Sequence, residues 1–255
     1  MRVLCIDFET THKDPLQARP WEFAACVATN NSWAFAQEGQ YTGRMWAADY
    51  PELSPEIQRV CKLPSERKNF VGSPSTKEVL ANLHSLAGQA DYLMAYNAEY
   101  DRTVWEQECI RQKVPFPTTP WLCAYSDVPY PDYYRCRQLS HLALDHGIKV
   151  DPEALHGALG DVRLMGQLLS RGGYTLEKIL EYKQEPWVYM KAVFNAFGPG
   201  GQELKEAAKA DGYGWQQCRG DTVTFMKTWV KRVKLSKFEE EKARTLPFKR
   251  ETLEA

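Results

Sequence analysis

The first ten residues of the chain constrain its fold more than any other stretch. Residues 3–6 are a short apolar run of strand-forming residues, typical of a central strand covered on both faces. Two carboxylates follow at Asp7 and Glu9, and residues two apart on a strand project from the same face. Because like charges this close are costly without a cation, and because Mg²⁺ and Mn²⁺ prefer carboxylate oxygens, this strand end predicts a metal-binding corner. A solvated strand end is the alternative, since Asp-x-Glu is a common tripeptide.

The composition is that of an ordinary globular protein. Of the 255 residues, 44% are apolar and 25% are charged, which suits one large domain or one domain with an appendage. The seven cysteines include no Cys-x-x-Cys pair, so neither a zinc site nor a disulfide scaffold is predicted. No apolar run is long enough to span a membrane, and Asp7 interrupts the N-terminal run that a signal peptide would need. We therefore expect a cytoplasmic protein without a membrane partner.

Charge is unevenly distributed along the chain. Residues 1–173 carry a net charge of −4, whereas residues 174–255 hold 15 Lys and Arg against 12 Asp and Glu, a net charge of +3. The C-terminal stretch also contains a basic cluster interleaved with Trp229, formed by Lys227, Lys231, Arg232, Lys234 and Lys237. Such clusters are usually solvated surfaces, and contact with DNA is the alternative.

The order of the predicted elements indicates an α/β domain followed by a smaller region. Strands at residues 22–29 and 32–41, joined by a turn at Asn30-Asn31, complete a meander with the first strand. Helices then alternate with strands: the helices lie within 51–63 and at 75–87, 102–114, 139–146 and 158–169, and the strands at 91–96 and 121–125. This order predicts a mixed five-stranded sheet with helices on its faces. A boundary near residues 171–174 divides the chain into domains 1–173 and 174–255.

The C-terminal region is predicted to be a small α+β appendage. Helices are predicted at residues 175–182, 186–194 and 202–210. A hairpin follows, with strands at 212–218 and 222–233, and the charged stretch 236–255 is predicted to be a frayed helix.

Three carboxylate-bearing motifs occur in an order that suits metal-assisted chemistry. The first, Asp7-x-Glu9, ends a strand. The second ends at Asp101, where a strand passes into a helix, and the third runs from His156 to Asp161 at a helix start, where negative charge is favoured. Phosphodiester hydrolysis by two metal ions needs several carboxylates and a nearby base, for which histidine has a suitable pKa. Each motif is weak alone, and the three together predict such a site.

The complete set resembles the DEDD exonuclease superfamily, the DnaQ-like 3′→5′ exonucleases. The matching carboxylates are Asp7, Glu9, Asp101 and Asp161. The third motif, His156-x-Ala158-x-x-Asp161, is similar to the DEDDh branch, whereas the tyrosine branch would have tyrosine in place of Gly157. The resemblance covers about residues 1–171 and implies an RNase H-like fold that holds two Mg²⁺ or Mn²⁺ ions.

The resemblance also implies a role for each matching residue. Asp7 would bridge both ions, and Glu9 and Asp161 would share the first ion. Asp101 would serve the second ion, partly through water, and His156 would be the general base. Candidate substrate contacts are Thr10, Thr11, His12 and Asn97.

The chain departs from the family pattern just after Glu9. Relatives often continue as Glu-Thr-Thr-Gly followed by an apolar residue that wedges against the terminal base pair, but this chain has His12 and Lys13 at these two positions. Either residue could contact the substrate strand instead, and a solvated loop position is the alternative for His12. The missing wedge bears on how well the enzyme would open a duplex end.

The compact domain with a short appendage looks most like the exonuclease X-like enzymes. This resemblance implies a metal-dependent exonuclease that releases nucleoside 5′-monophosphates from single-stranded or duplex DNA 3′ ends, as in DNA repair. Alternatives are an exoribonuclease of the same fold, a proofreading subunit with a polymerase partner, and a DNA-binding module with an idle nuclease fold. No protein partner is predicted, and the oligomeric state is left open.

Overall fold

A computed structural model of the protein describes residues 1–29, 32–36, 39–46, 55, 59, 72–131, 136–151, 157–219 and 225–253. The chain separates into two compact units, residues 1–183 and 184–255. The predicted boundary, after residue 173, lies ten residues before the observed one. The first unit extends further because Leu176 and Ile179 are buried in its core. The predicted turn at Asn30-Asn31 and the helix predicted within 51–63, apart from residues 55 and 59, lie outside the described residues.

The first unit contains a mixed five-stranded sheet, which confirms the predicted α/β fold class. Its strands are β1 (Arg2–Thr10), β2 (Pro20–Thr29), β3 (Gln40–Arg44), β4 (Tyr92–Ala95) and β5 (Trp121–Cys123), in the order β3-β2-β1-β4-β5. Strands β1 and β3 run antiparallel to β2, while β4 is parallel to β1 and β5 to β4. The central position of β1 explains its continuous apolar run, because both of its faces are covered.

The third strand begins later than predicted. The sequence predicts it at residues 32–41, but the strand is Gln40–Arg44. Trp33, which precedes it, is buried, and its indole N–H donates to the Tyr174 carbonyl oxygen at 2.7 Å. Packing of this large aromatic side chain in the core therefore overrides the strand propensity of the segment around it.

Among the described residues, five helices flank this sheet: α1 (Thr76–Ala87), α2 (Ala98–Gln112), α3 (Leu139–Asp145), α4 (Ala158–Arg171) and α5 (Leu176–Gln184). Helix α1 begins within one residue of its predicted start at residue 75. Ser75 is its N-cap: the Ser75 hydroxyl accepts the Glu78 N–H and the Glu78 carboxylate accepts the Ser75 N–H. Helix α2 begins before its predicted start at residue 102, which places Asp101 in its first turn. None of the described helices is both long enough and apolar enough to cross a membrane.

Alternate residues of β1 enter two different cores. Ile6 and Phe8 belong to a buried cluster that includes Trp105 of α2. Cys5 belongs to the cluster on the opposite face, which includes Val162 of α4. Odd-numbered positions of β1 therefore face α4, and even-numbered positions face α2.

The second unit contains a four-stranded antiparallel sheet and, among its described residues, two helices. Its elements are β6 (Trp187–Val193), α6 (Gly201–Ala210), β7 (Gly214–Arg219), β8 (Phe225–Lys234), α7 (Leu235–Ala243) and β9 (Lys249–Leu253), with the strand order β7-β8-β6-β9. Its core includes Met190, Ala208 and Phe248. The pairing of β7 with β8 confirms the predicted hairpin, and the unit is the α+β appendage that the sequence predicts.

Two helix predictions in this unit need correction: the one at residues 186–194 is wrong, and the one at residues 236–255 is too long. Residues 186–194 form β6, because Met190 and Ala192 are buried while Lys191 between them is not, which is the two-residue period of a strand. The stretch 236–255 contains α7 and then returns as β9, which pairs with β6. Phe248 anchors the returning chain in the core.

The predicted basic cluster is partly used inside this unit. Lys231 Nζ lies 2.8 Å from Glu241 Oε1 and 3.3 Å from Asp211 Oδ2. Lys234 is 2% exposed, and its ammonium group donates to the Glu185 carbonyl oxygen at 2.8 Å. These two cations therefore stabilise the fold, and DNA contact by this unit stays a prediction.

Candidate functional site

Three of the predicted carboxylates meet at the end of β1. Asp7 and Glu9 continue the odd-numbered face of this strand, against which α4 packs, and Asp161 lies in the first turn of α4. One carboxylate oxygen from each residue lies within 4.8 Å of the other two. All three side chains are half-buried. The period of one strand and the packing of one helix therefore suffice to assemble residues that are far apart in sequence.

The fourth carboxylate, Asp101, reaches the end of β1 from helix α2. It is 4% exposed, and its Oδ1 accepts the N–H of Phe8, the residue between Asp7 and Glu9, at 3.1 Å. Burial is the main reason why its pKa rises to about 7; the Phe8 N–H opposes the rise and Asp161 adds to it. Asp101 in turn raises the pKa of Asp7 and of Glu9, so the four carboxylates form one electrostatic cluster.

The surroundings of these carboxylates disfavour their ionised forms, as their raised pKa values show. Burial raises the pKa of Glu9 to about 8, and the charges of Asp161, Glu22 and Asp101 add to the rise. Burial also raises the pKa of Asp7 well above its ordinary range, with Asp101 as the next largest cause. A divalent cation would compensate these charges, and a donor set made only of oxygens suits Mg²⁺ or Mn²⁺. The residues present therefore fit the predicted ions.

We expect the protein in EDTA to lose stability as the pH rises. Glu9, with a pKa of about 8, keeps its proton in the folded state at pH values where an unfolded chain, with the ordinary pKa of 4.5, has lost it. The folded state therefore binds more protons in this window, and the contribution of Glu9 to the free energy of unfolding falls between about pH 4.5 and about pH 8. Urea unfolding in EDTA at a series of pH values measures this slope.

Two comparisons isolate the carboxylate contribution to this pH dependence. Glu9→Gln should flatten the slope, because the amide does not titrate in this range. Saturating Mg²⁺ should restore stability at the alkaline end, because a cation that binds only the folded state stabilises it. A Glu9→Gln protein with the same slope as the wild type would contradict the expectation.

His156, the predicted general base, lies outside the described residues. The residue after it, Gly157, is the N-cap of α4 in an extended conformation, with φ −127° and ψ 132°. The Asp161 N–H donates to the Gly157 carbonyl oxygen at 3.0 Å. In the sequence His156 directly precedes the N-cap of the helix that carries Asp161. Its role as a base stays a prediction.

The loop that follows Glu9 is closed by internal hydrogen bonds. Thr11 Oγ1 accepts the Arg19 N–H, and the Thr11 N–H donates to the Arg19 carbonyl oxygen, both at 3.0 Å. The Thr10 hydroxyl donates to the His12 carbonyl oxygen at 3.1 Å, and both threonines are buried. Their hydroxyl groups therefore shape the loop, and substrate contact by Thr10 and Thr11 stays a prediction.

His12 projects from this loop at an exposed position. Its Nδ1 accepts the Asp14 N–H at 2.9 Å, so the neutral ring carries its proton on Nε2. Tyr100 of α2 supports the same loop, because its hydroxyl donates to the His12 carbonyl oxygen at 2.6 Å. Asn97, the exposed N-cap residue of α2, makes no capping hydrogen bond with its side chain. Substrate contact by His12 and Asn97 stays a prediction.

A buried ion pair fixes the far end of this loop on α2. The Arg19 guanidinium donates to both carboxylate oxygens of Glu108, at 2.7 and 3.0 Å, and both side chains are buried. Arg111 also donates to Glu108 at 3.1 Å and to the Ala18 carbonyl oxygen at 3.0 Å. Since α2 also carries Asp101, this ion pair joins the loop to the carboxylate cluster through one rigid helix.

Glu108→Ala should lower the free energy of unfolding by about 3–5 kcal/mol, because it removes the buried carboxylate that accepts hydrogen bonds from Arg19 and Arg111. Urea denaturation of the two proteins measures the difference. The matched control is Glu106→Ala, an exposed position on the same helix, where we expect a change of no more than about 0.5 kcal/mol. Equal losses in the two variants would contradict a special role for the buried pair.

The sequence interpretation misses Glu22, a fifth carboxylate at this site. Glu22 lies directly opposite Glu9 in the β1–β2 pair, and its Oε1 accepts the Ala158 N–H at 3.1 Å. A signal for it is present in the sequence, because it is the one charged residue within an otherwise apolar strand, and charged residues in such positions are rarely without a partner. The identity of that partner, far along the chain, is visible only in the structure.

The exonuclease family RNase_T matches residues 4–169 of this chain, the span that holds the four predicted carboxylates. No curated protein shows significant sequence similarity to the chain. The matched span ends within α4 and leaves the second unit outside the family match.

Solved structures of exonucleases share the fold at low sequence identity. E. coli exonuclease I in complex with a dA16 oligonucleotide is 16% identical with a TM-score of 0.59, covering 82% of this chain and 50% of that one. The zinc-bound form of the E. coli ExoI–ssDNA complex is 16% identical with a TM-score of 0.62, covering 92% and 63%. The nuclease domain of 3′hExo, a DEDDh family member bound to rAMP, is 15% identical with a TM-score of 0.54, covering 67% and 90%. This chain spans about half the length of the first of these proteins.

Proposed function

Because this chain belongs to the RNase_T exonuclease family, we propose that it is a divalent-metal-dependent 3′→5′ exonuclease that acts on DNA. It would remove nucleoside 5′-monophosphates from 3′ ends. The observation that carries the proposal is the convergence of Asp7, Glu9 and Asp161 within 4.8 Å, beside buried Asp101. A nucleic-acid-binding module without catalysis would have no use for a carboxylate cluster that is costly to assemble.

The carboxylates would hold the metal ions, and the surrounding elements would fix their positions. Asp7, Glu9 and Asp161 would be the main ligands, with Asp101 contributing from α2, where the Phe8 N–H orients its carboxylate. When bound, Mg²⁺ or Mn²⁺ would activate the attacking water and offset the charge that develops on the leaving oxygen. These four side chains come from β1 and from the two helices, α2 and α4, that pack on its opposite faces, so their separation is set by the core rather than by a loop.

His156 would take the proton of the attacking water. It is the residue before Gly157, the N-cap of the helix that carries Asp161, and only five positions separate it from this proposed metal ligand in the sequence. Neutral histidine has a pKa suited to accepting a proton near pH 7. The loop after Glu9 would guide the substrate strand, with the His12 Nε2–H as a donor to a phosphate or base.

DNA is the leading substrate, and RNA is the competing one. Support for DNA comes from the exonuclease I structures, which were solved with DNA and match up to 92% of this chain, more than the first unit alone. Support for RNA comes from the 3′hExo nuclease domain, which was solved with rAMP and matches 67% of the chain. We therefore favour DNA, because the structures solved with DNA match more of this chain than the structure solved with rAMP.

Initial rates on single-stranded DNA and RNA oligonucleotides of the same sequence, in Mg²⁺, test the substrate assignment. We expect the DNA to be degraded faster at subsaturating concentration, where the rate reports kcat/KM. Faster degradation of RNA would replace the DNA assignment by an exoribonuclease. Binding of either polymer without any cleavage would leave only a nucleic-acid-binding module.

A further inference from the structure

Glu22 lies on the same face of the sheet as the carboxylate cluster. In the β1–β2 pair it is directly opposite Glu9, and residues opposite each other on antiparallel strands project to the same side. Glu22 is half-buried, and the predicted site residues do not include it. Its carboxylate is also outside the group of three whose oxygens lie within 4.8 Å of one another.

Glu22 accepts a hydrogen bond from the first turn of α4. The first N–H groups of a helix have no partner within the helix, and Gly157 at the N-cap of α4 has no side chain to supply one. The Ala158 N–H donates instead to Glu22 Oε1, at 3.1 Å. Helix α1 differs, because its cap is its own Ser75. Helix α4 therefore takes its N-terminal acceptor from the sheet.

The turn that Glu22 holds is the one from which Asp161 projects. The Asp161 N–H donates to the Gly157 carbonyl oxygen at 3.0 Å, so Gly157, Ala158 and Asp161 belong to one turn. A metal site needs its ligands held to within about 0.5 Å. The hydrogen bond from Ala158 to Glu22 of β2 ties this turn to the sheet that carries Asp7 and Glu9.

We propose that Glu22 is a positioning residue for the metal site: it holds the first turn of α4 against the sheet so that Asp161 stays within reach of Asp7 and Glu9. This inference rests on the proposed function. Glu22 acts as a hydrogen-bond acceptor for the Ala158 N–H, and it is not itself a ligand. Its contribution therefore depends on the oxygen atom and not on the negative charge.

Two variants at this position separate the acceptor from the charge. Glu22→Gln keeps an oxygen acceptor of the same reach, and Glu22→Ala removes it. For Glu22→Ala we expect the dissociation constant for Mn²⁺, measured by calorimetry without substrate, to rise about 10- to 100-fold, the usual effect of losing a group that orients a metal ligand. The kcat for DNA should fall by a similar factor with little change in KM, and Glu22→Gln should stay close to the wild type in both.

Several results would overturn the proposal. Equal impairment of Glu22→Gln and Glu22→Ala would show that the negative charge of Glu22, and not its acceptor oxygen, supports the metal site. A lower melting temperature of Glu22→Ala without a change in Mn²⁺ affinity would make its role merely structural. Absence of Mn²⁺ binding by the wild type would remove both this proposal and the proposed function. Mn²⁺ binding without DNA or RNA cleavage would remove only the proposed function, and the affinities of the variants would still decide the role of Glu22.

Discussion

Asp7→Asn is expected to lower the kcat for DNA cleavage by about 1,000-fold or more. Asp7 belongs to the carboxylate cluster, where burial and then the charges of Asp101, Asp161, Glu9 and Glu22 raise its pKa well above the ordinary range. A metal ion contributes several kcal/mol to stabilising the transition state, and each 1.4 kcal/mol is a factor of ten in rate. Asparagine has nearly the same shape, so the loss reports the missing charge and not a packing defect.

Single-turnover rates with saturating DNA and Mg²⁺ measure this effect. The matched control is Asp145→Asn, an exposed aspartate at the end of α3, which should leave the rate unchanged. In EDTA, Asp7→Asn should raise the melting temperature, because it removes one half-buried carboxylate from a cluster in which burial and like charges disfavour the ionised form. An Asp7→Asn enzyme with nearly normal turnover would contradict the proposed role of the cluster.

His156→Ala is expected to lower kcat by about 100- to 10,000-fold, the usual contribution of a general base. Because His156 is assigned to proton transfer and not to binding, the affinity for DNA measured in Ca²⁺ should be retained. The acidic limb of the pH–rate profile should also change, since that limb reports the protonation of the base.

The matched control for this prediction is His141→Ala, an exposed histidine of α3 whose Nδ1 lies 2.8 Å from Cys136 Sγ. It should cleave DNA at the wild-type rate. If His156→Ala keeps the wild-type turnover but loses affinity for DNA, then His156 is a substrate contact, and the base must be sought elsewhere.

The features of this site that could be predicted from sequence depend on short-range regularity. The two-residue period of β1 predicts that Asp7 and Glu9 share a face, and the structure places them on the face that α4 covers. Asp101 and Asp161 are both predicted near helix starts, and both lie in the first turn of a helix. Periodicity and helix starts are local properties, so they can be read from the chain itself.

The features that could not be predicted depend on contacts between distant segments. Glu22 accepts a hydrogen bond from Ala158, and Arg19 forms an ion pair with Glu108. No local sequence pattern marks either pair of residues as partners. The sequence predicts a helix where the strand Trp187–Val193 lies, because a short stretch that mixes apolar and polar residues is ambiguous until its pairing partners are known. Tertiary context decided each of these cases.

The most direct test of the proposed function is digestion of one single-stranded DNA oligonucleotide labelled separately at its 3′ and 5′ ends. In Mg²⁺, we expect the 3′ label to be released at once as a mononucleotide, while the 5′ label passes through a ladder of progressively shorter products. EDTA should abolish both patterns. Release of the 5′ label first, or cleavage that persists in EDTA, would contradict a metal-dependent 3′→5′ exonuclease.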